Sequence, residues 1–296
     1  MPDPDFLCIN FNLIKLFLHF YAEIIDILCK NIHYTVILIT RRYKMKKTIA
    51  VLLICLVAMT GIFAAGAKEA GEKSYTFAMN CEWPPLEYVD ENGEIVGFEV
   101  DLIKEMSKVS GVEMKYINTA WDTIFAGLAN GQYNAVASGV TVTEERKKTI
   151  DFSDTLFTIK QSIITMKGNE SLNSLEALSG KKVGVQMGTT GHFAVEANKD
   201  AVIKAYDSIG LAIEDMINGN LDACVCDSLI ASDFVLANAN YADKLIITGE
   251  ASSEIEEIAI AVKKGDKELL DLINSSLAKL KENGTMDALY KKYNIL

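Results

Sequence analysis

The sequence predicts an α/β protein of two lobes, each a mainly parallel sheet flanked by helices, joined by two hinge strands. Three observations carry that prediction. Short apolar runs alternate with amphipathic helical patterns up to Asp154, and the same alternation restarts at Leu156. A stretch from Asn130 to Ser138, NGQYNAVAS, returns from Asn218 to Cys226 as NGNLDACVC. Helices long enough to cross over a sheet make parallel neighbours of successive strands.

The first 67 residues differ from the rest in the manner of targeting and processing segments. Met45-Lys46-Lys47 followed by an uncharged run from Thr48 to Ala67 has the charged start, apolar middle and Ala-x-Ala end of a secretory signal, with cleavage expected after Ala67. Residues 1–44 are apolar but broken by Lys15, His19, Glu23 and Asp26. They are expected to be a spurious extension upstream of Met45. Of 296 residues, the first 67 hold seven bases and four acids, which leaves 22 bases against 36 acids, net −14, from residue 68 on. That balance disfavours nucleic acid and anionic membranes as partners. Three cysteines remain there, Cys81, Cys224 and Cys226, an odd number that allows at most one internal bridge. No Cys or His spacing completes a metal site, and no cofactor is expected.

In order, Thr76–Met79 reads as a strand. Asn80 to Pro85 must be loop, because paired prolines continue neither ladder nor helix. Glu91-Asn92-Gly93-Glu94 gives a turn before Gly97. The next helix carries Leu102, Ile103, Met106 and Val109 on one face and stops at Gly111. Val112–Ile117 is a strand, and Trp121 opens a helix that carries Ile124, Phe125 and Leu128 to Asn130-Gly131. Ala135–Ala137 is a strand ending in the loop from Ser138 to Thr141, and Thr143 is placed to cap a helix over Glu144–Thr149.

Beyond Asp154, Leu156–Met166 is extended and Ser171–Gly180 a short helix. Strands follow at Lys182–Val185, Val202–Tyr206 and Leu221–Cys226, with helices after Gly188-Thr189-Thr190-Gly191 and over Ile209–Ile217. Ser228–Ala237 is helical, Leu245–Ile247 and Ile258–Val262 extended, and Lys267–Glu282 and Met286–Tyr293 helical. The extended stretches between the halves suit hinge strands. Residues 68–158 and 251–296 form one expected lobe and 159–250 the other.

Residue 68 onward contains a single arginine, Arg146, at a strand-loop-helix junction where side chains and unpaired backbone N–H groups converge on a ligand. Its planar fork matches a carboxylate with two parallel hydrogen bonds. An exposed ion pair would explain Arg146 alone. In the register of the repeat, however, Gly139 falls opposite Asp227, so one lobe aims a cation and the other an anion at the space between strand ends. Two such strands followed by opposite charges suit a zwitterion.

These residues resemble the extracytoplasmic solute-binding proteins of polar amino-acid ABC importers, over essentially all of Ser74 to Leu296. The resemblance lies in Gly97-Phe98-Glu99-Val100-Asp101-Leu102, the loop Thr141 to Arg146, Asp151-Phe152-Ser153-Asp154 and Glu282-Asn283-Gly284-Thr285. Ser107 and Ser110 depart from it, standing where small apolar residues are usual. It implies the two-lobed periplasmic binding protein fold, a monomer exported from the cytoplasm, and delivery of an amino acid to membrane permease subunits. It also implies that Arg146 grips the α-carboxylate, aided by Thr190 with Gln186 nearby. Ser138 and Gly139 would offer hydroxyl and backbone groups, Thr141 and Asp227 would meet the ammonium, and Trp83 and Trp121 would wall the side chain. Asn80 inclines the site toward a neutral polar ligand. If Glu82 points inward, lysine or arginine becomes the better expectation.

Each residue has a plainer explanation as well: Trp83 and Trp121 as packing, Asp227 as a helix cap, His192 as a surface or capping residue. Two other functions fit the same fold. One is a periplasmic dehydratase acting on prephenate or arogenate, with Glu82 or Asp227 as its acid. The other is a ligand-sensing domain, which needs a transmembrane exit and signalling module that the sequence up to Leu296 does not encode.

Overall fold

The computed structural model describes residues 73–295, together with the helical residues Tyr21, Glu23 and Ile25. Apart from those three, the expected upstream extension and signal segment lie outside the described residues.

The first lobe begins with strand β1 (Ser74–Met79), followed by β2 (Glu82–Trp83), β3 (Glu87–Val89) and β4 (Ile95–Val96). The expected loop from Asn80 to Pro85 therefore contains a short strand. The two prolines form the turn itself, through a cis Pro84–Pro85 bond, and β2 pairs with β3 on either side of it. Helix α1 (Phe98–Ser110) comes next. Its entry at Gly97 has φ 134°, and a Cβ there would lie 2.2 Å from the Leu86 carbonyl oxygen, so only glycine fits. Phe98, Leu102, Ile103 and Met106 are fully buried, which at about 1.5–3 kcal/mol per large apolar side chain pins the helix to the sheet. Gly111 ends it in the left-handed conformation, as its sequence position implies.

Strand β5 (Glu113–Asn118), helix α2 (Trp121–Ala129), strand β6 (Ala135–Val136), helix α3 (Glu144–Lys147) and strand β7 (Ile150–Phe152) follow. The Thr143 side chain accepts the Arg146 backbone N–H, capping α3 as expected. The extended run from Leu156 divides at Lys160 into β8 (Phe157–Ile159) and β9 (Gln161–Met166). The short helix expected over Ser171–Gly180 shrinks to a 3₁₀ turn at Glu176–Leu178.

The second lobe continues with β10 (Lys182–Gln186), α4 (Thr190–Glu196), β11 (Val202–Tyr206), α5 (Ile209–Ile217), β12 (Ala223–Asp227) and α6 (Ser228–Ser232). Helix α6 widens into a π turn over Asp233–Ala237, where Asn238 N–H bonds back to Asp233 O. Strand β13 (Leu245–Glu250) precedes β14 (Glu256–Ile258) and β15 (Ala261–Lys263). The single strand expected over Ile258–Val262 is split because Ile260 N–H bonds to the Ser153 hydroxyl instead of a ladder partner. Helices α7 (Lys267–Glu282) and α8 (Thr285–Tyr293) close the chain's first lobe. The ring of Tyr290 stacks on Phe98 at 5.7 Å and its hydroxyl donates to Leu156 O.

Two five-stranded sheets result, in the orders β5-β1-β6-β15-β7 and β11-β10-β12-β9-β13. In each, the first two pairings are parallel and the last two antiparallel, so four strands run one way and one is reversed. The reversed strands, β15 and β9, are those fed by the antiparallel pair β14 and β8, which links the two sheets. The sequence repeat maps onto this symmetry: β6 and β12, its two strands, take the central place in their sheets.

Candidate functional site

The parallel strands of both sheets end toward one cleft, where loops and helix starts leave backbone donors unpaired. The ten residues expected to contact the ligand line a single cavity there. Asn80, Trp83, Trp121, Ser138, Gly139, Thr141 and Arg146 come from the first lobe, and Gln186, Thr190 and Asp227 from the second, joined by Thr189. Hydrogen bonds cross between lobes at its edges, among them Thr141 Oγ1 to Thr190 Oγ1 at 3.3 Å, Gln186 Nε2 to Asn80 Oδ1 at 3.2 Å, and Arg146 Nη2 to Gly188 O at 3.4 Å.

Arg146 leaves the first turn of α3 and lies over Phe125 and Trp121, its guanidinium carbon 5.0 and 5.6 Å from the two ring centroids. Its Nη1 donates to Thr141 O at 2.9 Å. Burial pulls its pKa down to about 10, opposed by the charges of Asp227 and Glu256, so it remains a cation at neutral pH. The surface ion pair is thus excluded for this arginine: its partners are ring faces and carbonyls. Phe125, packed edge-on to Trp121 at 5.2 Å, completes the platform and was read from the sequence only as helix core.

Asp227 begins α6 yet makes no capping bond with its side chain. Its Oδ1 instead accepts from Gln161 Nε2 at 2.8 Å. Burial pushes its pKa up to about 7, with the Gln161 bond and Arg146 acting against that rise and Glu256 adding to it. Glu256, on hinge strand β14, accepts from Thr141 Oγ1 at 3.1 Å and Gln161 Nε2 at 3.3 Å. Neither Gln161 nor Glu256 is legible as a site residue from the sequence, because both lie on hinge segments whose register only the fold defines.

Two expected ligand groups are already engaged. The Ser138 hydroxyl donates to Glu87 Oε1 at 2.7 Å and accepts from Asn80 N–H, and Gly139 N–H donates to Glu99 Oε2 at 2.9 Å. Ser138 and Gly139 line the cavity, but these two groups hold its wall in place rather than face its interior. A signal for Glu99 exists in the sequence: it precedes Ile103 and Met106 by four and seven residues, on the apolar face of α1. His192 is half-buried, and its Nδ1 accepts Gly188 N–H at the start of α4.

Gln186 Nε2 also donates to Asp207 O at 3.0 Å, while its Oε1 is buried with no partner. A second cavity shares Asn80 and Trp121 with the first and is lined also by Glu82, Asp122 and Asp207. Glu82 thus faces an adjoining cavity, not the main one.

Two lobes of like topology, with a guanidinium and a carboxyl lining the same cavity from opposite sides, define a two-lobed solute-binding protein. The chain belongs to the bacterial extracellular solute-binding proteins, family 3, whose model matches residues 75–295. It is 34% identical over 258 residues to a probable histidine-binding protein of Neisseria gonorrhoeae, covering 84% of this chain and 96% of that one. It is 35% identical over 214 residues to the L-cystine-binding protein TcyJ of Escherichia coli K12, covering 71% and 79%. Among solved structures, an ancestral arginine-binding protein bound to arginine matches with a TM-score of 0.70 and 40% identity, over 74% of this chain and 97% of that one.

Proposed function

We propose that this protein captures one amino acid between its lobes and delivers it to the membrane subunits of an ABC importer. The observation that carries the reading is that Arg146 and Asp227 line one cavity from opposite lobes. Arg146 takes the α-carboxylate, with Thr190 adding donors from the start of α4. Asp227 and Thr141 take the α-ammonium. Trp83 and Trp121 flank the side chain, and Asn80 and Gln186 meet its far end. A ligand that holds both poles favours the shut arrangement of the lobes over any open one, and so shifts the population toward it.

The relatives' names, for histidine, cystine and arginine, span more than one side-chain class. The partnerless acceptor on Gln186 and the acids of the adjoining cavity support a side chain that bears N–H groups, against the neutral polar preference that Asn80 alone suggests. Lobes of residues 68–158 with 251–296 and of 159–250, a monomeric state and an extracytoplasmic location complete the proposal. Among the described residues no helix is long and apolar enough to cross a membrane.

A thermal-shift screen against the twenty amino acids and cystine tests this reading, since a ligand that binds the native form raises the unfolding temperature by mass action. Failure of every amino acid to do so refutes it. The raised pKa of Asp227 would also suit the acid of a dehydratase. Formation of product from prephenate or arogenate would establish that second reading, and its absence leaves Asp227 as a binding group.

A further inference from the structure

Directly behind the cavity wall lie two carboxyl groups that the binding site does not use. Glu87 on β3 and Glu99 in the first turn of α1 are both fully buried. Each holds one group of the loop that follows β6. Glu87 Oε1 accepts the Ser138 hydroxyl, which in turn accepts Asn80 N–H, and Glu99 Oε2 accepts Gly139 N–H. Gly139 has φ +56°, and a Cβ there would meet Trp83 Nε1 and Leu86 Cδ1 at 3.1 Å, so the loop sits tightly against the aromatic wall. The remaining oxygens, Glu87 Oε2 and Glu99 Oε1, are buried without a hydrogen-bond partner, and each carboxyl acts on the titration of the other.

Two ionised carboxylates cannot share a hydrogen bond, since each is an acceptor only. One proton between them satisfies every oxygen of the pair. We infer that Glu87 and Glu99 share a single proton and act as positioning residues for the ligand cavity, fixing Asn80, Ser138 and Gly139 through one carboxyl–carboxylate bond.

The electrostatics agree with that placement. Burial and the neighbouring charge of Glu99 push the Glu87 carboxyl well up. Glu99 is raised by burial, with the bond from Glu87 and the Gly139 N–H acting against it, so the proton rests on Glu87. From the elements packed around the pair, the other titratable group that acts on it is Cys81, itself pushed up to about 11 by burial. The unfolded chain gives up the same proton near the ordinary glutamate value. The pair's contribution to stability is therefore greatest in acid and is lost as pH rises through the elevated value of Glu87.

An amide can replace either carboxyl without loss of a hydrogen bond, because Gln donates through Nε2 where the protonated acid donated through its hydroxyl. Two amides cannot, since their NH₂ groups would face each other. The single variants E87Q and E99Q and the double variant E87Q/E99Q test this, with the full chain and L-arginine, L-histidine and L-cystine as probes. The binding readout rests on the proposed amino-acid function. Infrared spectra and thermal unfolding do not. The expected infrared result is a protonated-carboxyl band at neutral pH that either single substitution removes. Each single variant keeps probe affinity within about threefold at pH 7. The double variant unfolds at lower temperature and binds about tenfold more weakly, as expected when a buried donor is left unpaired. Absence of that band, or single variants as damaged as the double, overturns the shared proton. If no probe binds even the native protein, the amino-acid reading fails, while the band and the order of unfolding temperatures still decide the pair.

Discussion

Asn80 Oδ1 accepts a hydrogen bond from Gln186 Nε2 at 3.2 Å across the cleft, and this leaves Gln186 Oε1 buried without a donor. A buried acceptor left unpaired costs about 1–3 kcal/mol, which a ligand N–H would recover on binding. Replacement of Gln186 by Leu removes the acceptor at similar volume. The expected outcome is that L-arginine and L-histidine lose about tenfold in affinity while L-methionine, which lacks a side-chain N–H, is unchanged or gains. Calorimetric titration of the three ligands checks this. An equal loss for all three would mean that Gln186 only supports the cavity wall.

Arg146 stacks on Phe125 and lines the cavity. Loss of one partner of a desolvated charge pair typically costs about 2–5 kcal/mol. Arg146→Ala is expected to weaken amino-acid binding by that amount. Arg146→Lys should recover only part of it, because a point charge cannot span a carboxylate with two parallel bonds. Unchanged affinity in Arg146→Ala by calorimetry would remove the α-carboxylate role.

Gly97 tests the fold rather than the site. At φ 134° an alanine is strained, and its Cβ would overlap the Leu86 carbonyl 2.2 Å away, so the turn before α1 must open. That turn sets the position of Glu99 and of the buried face of α1. Gly97→Ala is expected to cost at least about 4 kcal/mol in a urea titration, or to prevent folding. A cost under about 1 kcal/mol would show that the β4–α1 junction relaxes freely.

What the sequence made legible follows from what sequence periodicity can carry. Helices α5 and α7 have the expected bounds because apolar spacing and Asn-Gly ends coincide there. The repeat located β6 and β12, and hence the places of Gly139 and Asp227, because sheet position is encoded in the order of elements. The hinge was harder. An unbroken extended stretch gives no sign that Lys160 divides β8 from β9, or that Ser153 interrupts β14 and β15 with its hydroxyl. The same blind spot hid Gln161 and Glu256, whose contacts depend on the pairing of β8 with β14. Ser138 and Gly139 stand at the expected wall, but their hydroxyl and N–H groups turn to Glu87 and Glu99. Their true partners, Glu87 and Glu99, are acids in apolar surroundings, and composition alone treats acids as surface residues.

Asp227 gives the ligand-binding equilibrium a pH dependence with a definite sign. In the ligand-free protein burial holds its carboxyl near pKa 7, where an exposed aspartate titrates at 3.8. A bound α-ammonium favours the ionised form, so binding at pH 7 releases roughly half a proton and approaches one proton per ligand in more acid solution. Apparent affinity is therefore expected to rise about tenfold per pH unit below 7 and to level off above 8. The stability of the empty protein runs the other way. The folded state keeps this proton up to about pH 7 while the unfolded chain loses it near 3.8, so the contribution is present in acid and is lost as pH rises through 7. Ligand-induced thermal stabilisation should consequently be larger at pH 8 than at pH 6. Titrations in two buffers of different ionisation enthalpy measure the released proton directly, and Asp227→Asn should abolish it along with most of the affinity. A native protein whose binding enthalpy is independent of buffer near neutrality would place Asp227 outside the ammonium site.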